Sequence, residues 1–396
     1  MPALLLATAL SRLAVRMFSL AIVLYALERF HSPVLAGWVG FASIVPGLLV
    51  SPIAGAALDR VGPVFAIVID MATSTVLMLA MILADALGLA SPAALMALVA
   101  LYSLTNPLSR SGIRTLLPRL VSSDQLDTAN ALDTAIYAVT DVIGPGLAGV
   151  IIGFSGALPA LIVIALIFGI AAVATARIRH VGAAQRTTQQ SFLREALDGV
   201  VVVFRQPTLR TLALSYSLHQ VTWGVLVIAV PVLSLRLFAA SQADAVTGFL
   251  WAASGIAGGV GALVAGHLRV LGRERRIMAL GMLIAAFACW PVAPSLGIAG
   301  LVFALIIVGA VSGPVDVGLL TLRQRRTDPA KLGRVLSVSM SLNVAGFPIG
   351  SALAGVLITR SLDATFAIAA AASLLGSLAV LMIPHDEVTR SSPPAN

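Results

Sequence analysis

Stretches of about twenty apolar residues recur along the chain, and they constrain its fold more than any other feature. The run ALPALIVIALIFGIAAVATA at 157–176 holds no charge, and a helix of that length spans the roughly 30 Å of a bilayer's hydrocarbon. In lipid every backbone N–H and C=O must be satisfied within the chain, so only helices and closed barrels cross it. A barrel would alternate polar and apolar residues over short segments, and these runs do not alternate. Composition agrees: 59% of residues are hydrophobic, only 11% are charged, and mean hydropathy is +1.01. A soluble domain carries about a quarter charged residues. The chain therefore reads as an all-α polytopic membrane protein.

Hydropathy and the Pro, Gly and charge punctuation place twelve spans near 3–27, 34–57, 63–84, 92–113, 124–151, 156–176, 208–235, 243–266, 274–293, 296–318, 331–359 and 362–383. The first could pass for a signal peptide. Arg12 and Arg16 lie inside its apolar run and no cleavage site follows, so it reads as a retained span. With both termini cytoplasmic, nineteen Arg and Lys residues fall on the inner side and only Arg29, Arg236 and Arg360 outside. The positive-inside rule thus gives the orientation, in a bacterial inner membrane. Arg12, Arg16 and Arg110 lie within spans and fit neither side. The formal charge of +8 is mainly this topology signal, and no folded basic surface for nucleic acid is present.

The spans divide into an N-terminal half at 1–176 and a C-terminal half at 208–383, joined by a linker at 177–207 and followed by a disordered tail at 384–396. In the linker, Phe192, Leu193, Ala196, Leu197, Val200, Val201 and Phe204 approximate a helical stripe that could lie on the inner membrane surface. The halves echo each other. Gly55, Asp59, Arg60 and Gly62 after span two are matched by Gly266, Arg269 and Gly272 after span eight, with the Asp missing. Pro107 and Pro314 lie 207 residues apart, and Pro145 and Pro348 lie 203 apart. Membrane transporters are commonly built from such repeats about a central path.

Twelve spans, a central linker and the sequence Gly55-Ala-Ala-Leu-Asp59-Arg60-Val-Gly62 between spans two and three resemble the major facilitator superfamily. The segment Gly144-Pro145-Gly146-Leu147-Ala148-Gly149 is similar to the span-five signature of that superfamily's exporters, with Ala148 in place of one Gly. Pro118-Arg119-Leu120 followed by Asp124, Leu126, Ala129, Asn130 and Ala131 resembles its prokaryotic drug and siderophore exporter branch. The resemblance implies a cytoplasmic gate at Gly55, Asp59, Arg60 and Gly62, with Arg114 and Asp133 as partners in its network. The residues themselves fit either a gate or a plain turn. Gly55 lets helices approach closely, Gly62 allows a tight turn before Pro63, and Asp59 can accept bonds from a helix end or pair with an arginine.

Polar residues inside the spans supply the remaining candidates. Arg12 and Arg16 are one turn apart on one helical face; they contact cargo in a central cavity, or Arg12 snorkels while Arg16 pairs with a structural Asp. Related exporters carry an acid near this position, and arginine instead favours an anionic group. Asp141, Asp316 and Asp70 are buried carboxylates able to carry protons, Asp141 being also a partner for Arg16 and Asp70 a brace for the gate. Tyr216, His219, Gln220 and Trp223 share part of a span-seven face that could hold an amphipathic molecule or pack between helices. Asn343 is a further cavity donor. Pro46, Pro145, Pro231 and Pro348 can bend their helices.

No cofactor-binding pattern is present. The five histidines are scattered, no nucleotide-binding Gly-Lys-Ser/Thr loop occurs, and no hydrolase motif brings Ser, His and Asp together. An enzyme is not expected. The expectation is a monomeric proton-coupled secondary transporter that exports a small amphipathic molecule, with protons and membrane lipid as its other partners. Uptake or translocation of an anionic or lipid-like solute by the same fold is the alternative.

Overall fold

The structure, a computed structural model, describes residues 2–120, 126–178, 200–267, 272–327, 338–339 and 341–384. Nearly all of them are helical. Span one is Pro2–Phe30; span two is divided into Pro33–Ala42 and Val45–Val61; spans three to six are Pro63–Ala86, Pro92–Leu120, Leu126–Ser155 and Ala157–Ala176. Spans seven and eight are Pro207–Leu237 and Ala240–His267. Span nine runs as Glu274–Phe287, widens at Ala288–Val292 and ends as Ala293–Ser295. Span ten is Gly297–Arg325, the last regular part of span eleven is Gly346–Leu357, and span twelve is Leu362–Leu381. Among the described residues ten helices are long and apolar enough to cross a membrane. Spans five and eleven contribute the shorter apolar helices Ile143–Ser155 and Ser341–Leu357.

The sequence marks where these helices begin. Ser32, Ser91 and Ser361 precede spans two, four and twelve, and each hydroxyl accepts from a backbone N–H three residues on, at 3.1–3.2 Å. Each cap satisfies one of the donors that a helix start leaves orphaned. Two interruptions stand out, the first at a Pro that the sequence reading named as a bend and the second at one that it did not. Span two is not continuous: Ser43 and Ile44 interrupt it, because Pro46 cannot donate to the residue four back and favours a fresh helix start. Span nine is kinked at Trp290, extended at φ −150° and ψ 128°, just before Pro291; the Pro is visible in sequence, but its bend was not expected there.

Spans three, six, nine and twelve form the outer wall. Away from the helix ends their exposed side chains are apolar, as at Leu79, Leu83, Leu166, Ile170, Phe287 and Leu378. Such a surface suits lipid. One end of the bundle carries Arg60, Arg177, Arg273, Arg276 and Arg325 at helix ends and is called the basic face below. At the opposite face, Tyr25 Oη and Arg29 Nε both donate to Asp85 Oδ1, at 2.9 and 2.8 Å, tying span one to span three. Glu28 Oε2 accepts from the Ala157 backbone N–H at 3.0 Å and caps span six.

The repeat is visible in the backbone. Gly62 and Gly272 both adopt left-handed φ, 84° and 83°, after spans two and eight, and Gly88 and Gly297 do so after spans three and nine, at 69° and 57°. Gly62 reverses the chain as the single residue between two helices, and a Cβ disfavours the positive φ that all four glycines adopt.

Candidate functional site

The two halves meet along two seams, both in the part of the bundle nearer the opposite face. In one, span five crosses span eight through glycine and alanine. A Cβ on Gly149 would collide with the backbone of Gly248, one on Gly146 would lie 2.9 Å from Ala252 Cβ, and one on Gly153 would lie 2.6 Å from Ala245. In the other, the first segment of span two meets span eleven: a Cβ on Gly37 would approach the Gly355 Cα to 3.0 Å, and Ser351 Oγ donates to the Gly37 carbonyl at 3.3 Å. The second segment of span two turns away to span four, where Gly47 N–H donates to Ser103 Oγ at 2.9 Å. The main hydrophobic core joins both halves. Nearer the basic face a separate core of Leu212, Met278, Met282, Val315, Leu319, Leu322 and Val380 belongs to the C-terminal half alone. Among the described residues, then, the close glycine contacts between the halves lie away from the basic face, and the interior between the halves on the basic side is called the cleft.

On the N-terminal side of this cleft, polar groups from spans one, three and four gather around Tyr102. Its ring packs on Phe18 with centroids 4.3 Å apart, and its hydroxyl accepts from Asn106 Nδ2 at 3.4 Å. Arg16, Asp70 and Arg110 all lie within electrostatic reach of it. Asp70 is 2% exposed and faces Thr105, Ser109 and Arg110 of span four. Its Oδ1 makes no hydrogen bond. Arg16 is half-buried, and a Cβ on Gly144 would lie 2.5 Å from its own Cβ. The first glycine of the span-five segment therefore lets span five lie directly on span one, while Gly146 and Gly149 let it lie on span eight. Arg12 is half-buried one turn earlier, and both arginines have interaction partners. Pro145 sits within a helix that stays continuous.

The C-terminal side distributes the expected span-seven face among three neighbours. Tyr216 Oη donates to Asp316 Oδ1 of span ten at 2.6 Å, and Asp316 is exposed rather than buried as the sequence suggested. His219 is 1% exposed and turns to span twelve, its Nδ1 2.8 Å from Ser373 Oγ, which also lies 2.7 Å from Thr222 Oγ1. A packing role fits that geometry and a cargo contact does not. Trp223 stacks obliquely with Trp251 of span eight, centroids 5.9 Å apart, and Gln220 is half-buried. Asn343 is 5% exposed and engaged by Arg323, whose Nη2 donates to its amide oxygen at 2.9 Å while the amide nitrogen donates to the Ser339 carbonyl at 3.0 Å. Burial against Arg323 removes it from the cleft surface.

At the gate, Gly62 alone separates Val61 from Pro63, its left-handed φ making the one-residue turn. Arg60 is exposed. The side chains of Gly55, Asp59, Arg114, Asp133 and Asp141 lie outside the described residues. So do Phe192, Leu193, Ala196 and Leu197 of the linker stripe, whereas Val200, Val201 and Phe204 are exposed and Val203 is buried against Leu209 and Ala213. Arg110, Tyr102 and Arg323 are polar residues of this interior that the sequence reading assigned no role. Only Arg110 carried a signal, as a charge inside a span that fits neither loop set.

The family model for the Major Facilitator Superfamily matches residues 4–269 and 212–396. The uncharacterized MFS-type transporter y4rN of Sinorhizobium fredii is 54% identical over 97% of this chain and 94% of its own length. The multidrug efflux pump Tap of Mycolicibacterium fortuitum is 30% identical over 91% and 90%. Among solved structures, the nucleoside transporter NupG superposes with a TM-score of 0.74 at 15% identity, over 97% of this chain and 99% of that one. A POT family transporter bound to a thioalcohol-conjugated peptide gives 0.74 at 11% identity, over 96% and 95%.

Proposed function

Since the chain belongs to the Major Facilitator Superfamily, we propose that it is a proton-coupled exporter of a small amphipathic molecule, working by alternating access in a bacterial inner membrane with both termini cytoplasmic. The observation that carries this reading is the pair of glycine seams, which join the halves nearer the face opposite the basic one. The basic face is then the cytoplasmic side by the charge rule, and the cleft is poised to load from within. Similarity to the efflux pump Tap supports export. The halves at 1–176 and 208–383 rock about the seams, and the linker at 177–207 tethers them. Each chain has both halves, so a monomer suffices.

Protons enter through carboxylates that the cycle alternately exposes and buries. Asp316, hydrogen-bonded by Tyr216, and Asp70, with a bare oxygen deep in the polar cluster, are two candidates; Asp141, one turn before the Gly144 contact with Arg16, is the third. Movement of such a carboxylate past a new partner changes its proton affinity. Coupling follows from that difference.

The test is reconstitution into liposomes with an imposed pH gradient, following uptake of a cationic and an anionic dye, ethidium and 8-anilinonaphthalene-1-sulfonate, together with movement of protons. The share of each orientation is read from labelling of Arg273→Cys, on the basic face, by an impermeant maleimide in a Cys289→Ser background. Gradient-driven movement of either dye away from the basic face, lost in Asp141→Asn or Asp316→Asn, supports the reading. Movement toward the basic face would establish uptake instead. Facilitated flux indifferent to the gradient would remove proton coupling.

A further inference from the structure

Arg110 is exposed although it lies within the apolar part of span four, Pro92–Ile113, three residues from the basic end of that part, while the helix itself runs on to Leu120. Its direction can be read from the helix. Ala93, Ala97 and Leu101 are exposed at four-residue intervals and form the outward stripe of this span. Nine further residues at about 100° each turn Arg110 roughly 180° from Leu101, into the bundle. Exposure there means exposure to the cleft. Among the described residues no hydrogen bond or ion pair engages its guanidinium; Asp70 attracts it from a buried position behind Thr105 and Ser109 without pairing to it. Across the cleft, Asp316 is held by the Tyr216 hydroxyl.

A guanidinium within a membrane span is costly unless it faces water or an opposite charge. Its planar fork of N–H donors matches carboxylate, phosphate and sulfonate oxygens two at a time. Asn106, one turn earlier on the same face, adds a carboxamide. We propose that Arg110 anchors an anionic headgroup of the transported molecule, so that the cargo is an amphiphile bearing a carboxylate, phosphate or sulfonate. The proposal rests on the transport cleft described above, but on neither its proton drive nor its direction.

The test uses the whole purified protein with Cys289→Ser and Asn106→Cys, which places one thiol beside Arg110. Its reaction rate is compared for the anionic sulfonatoethyl and the cationic trimethylammonioethyl methanethiosulfonates. The anion-to-cation rate ratio should fall at least five-fold in Arg110→Gln and be retained in Arg110→Lys. Labelling by neutral N-ethylmaleimide should be slowed by 1-naphthalenesulfonate and not by 1-naphthylmethylammonium, with the sulfonate's effect at least five-fold weaker in Arg110→Gln. A thiol that does not react, a rate ratio unchanged by Arg110→Gln, no protection by the sulfonate, or equal protection by the ammonium would each overturn the proposal. None of these readouts needs a proton gradient, so failed transport and a failed anion anchor are distinguished.

Discussion

The hydroxyl of Ser373 serves two partners from span seven, His219 and Thr222. Thr222 also donates to the Ala369 carbonyl at 2.8 Å and would keep that bond if the serine were lost. His219 would not, since its Nε2 has no partner. Ser373→Ala should therefore destabilise the protein by about 1–3 kcal/mol, the cost of an orphaned buried polar group, and lower its melting temperature without altering which compounds it transports. An altered cargo profile at unchanged stability would place His219 at the cleft. Glycines give a sharper contrast. Gly62→Ala and Gly272→Ala force a Cβ into left-handed φ and should each cost about 1–2 kcal/mol, whereas Gly259→Ala, with open space around it, should be neutral or stabilising. Thermal unfolding of the three variants side by side checks the order. Gly62 was legible in sequence because a local backbone demand forces its identity. The Tyr25–Asp85–Arg29 knot was not, because its members lie 56 and 60 residues apart and nothing local marks them as partners.

Helical periodicity identified the elements and left their neighbours open. Tyr216, His219, Gln220 and Trp223 do fall within about 100° of arc, as expected of their spacing. Span seven, however, is packed among spans eight, ten, eleven and twelve, so that one arc meets several partners and its residues go to different ones. The same limit applied to span five. Its Gly-Pro segment was recognisable from sequence, but only packing shows Gly144 serving span one while Gly149 serves span eight. A larger residue at Gly149 should push the seam apart at the opposite face. Gly149→Leu is expected to favour the state that closes the basic face and thereby slow labelling of Asn106→Cys from that side, beyond the roughly 1–3 kcal/mol of overpacking seen in thermal unfolding. Labelling at the original rate would show that the seam does not govern which face opens.

For the whole molecule, the twelve-span reading, the repeat and the family were available before any coordinates, because membrane crossing and charge asymmetry write themselves into composition at a scale that single contacts do not. The open side of the cleft was not, since one sequence serves every state of an alternating-access cycle. The closure seen between spans two and eleven can be made permanent. A Cβ on Gly40 would lie 3.1 Å from Ser351 Cβ, near the range that a disulfide spans. In a Cys289→Ser background, oxidised Gly40→Cys with Ser351→Cys should bind ligand from the basic face yet transport nothing, and a reductant should restore flux. Flux that persists through the cross-link would rule out separation of these helices as part of the cycle.

The crossing of Gly149 over Gly248 has one more consequence. Where backbone lies on backbone there are no interlocking side-chain teeth, so two rods can roll against each other without climbing out of one set of notches into the next. The contact behaves as a bearing rather than a latch. It also sits well away from the basic face, which makes each half a long lever arm. A few degrees of roll at the pivot, too little to break a single buried contact there, swings the far ends of the helices through several times that distance.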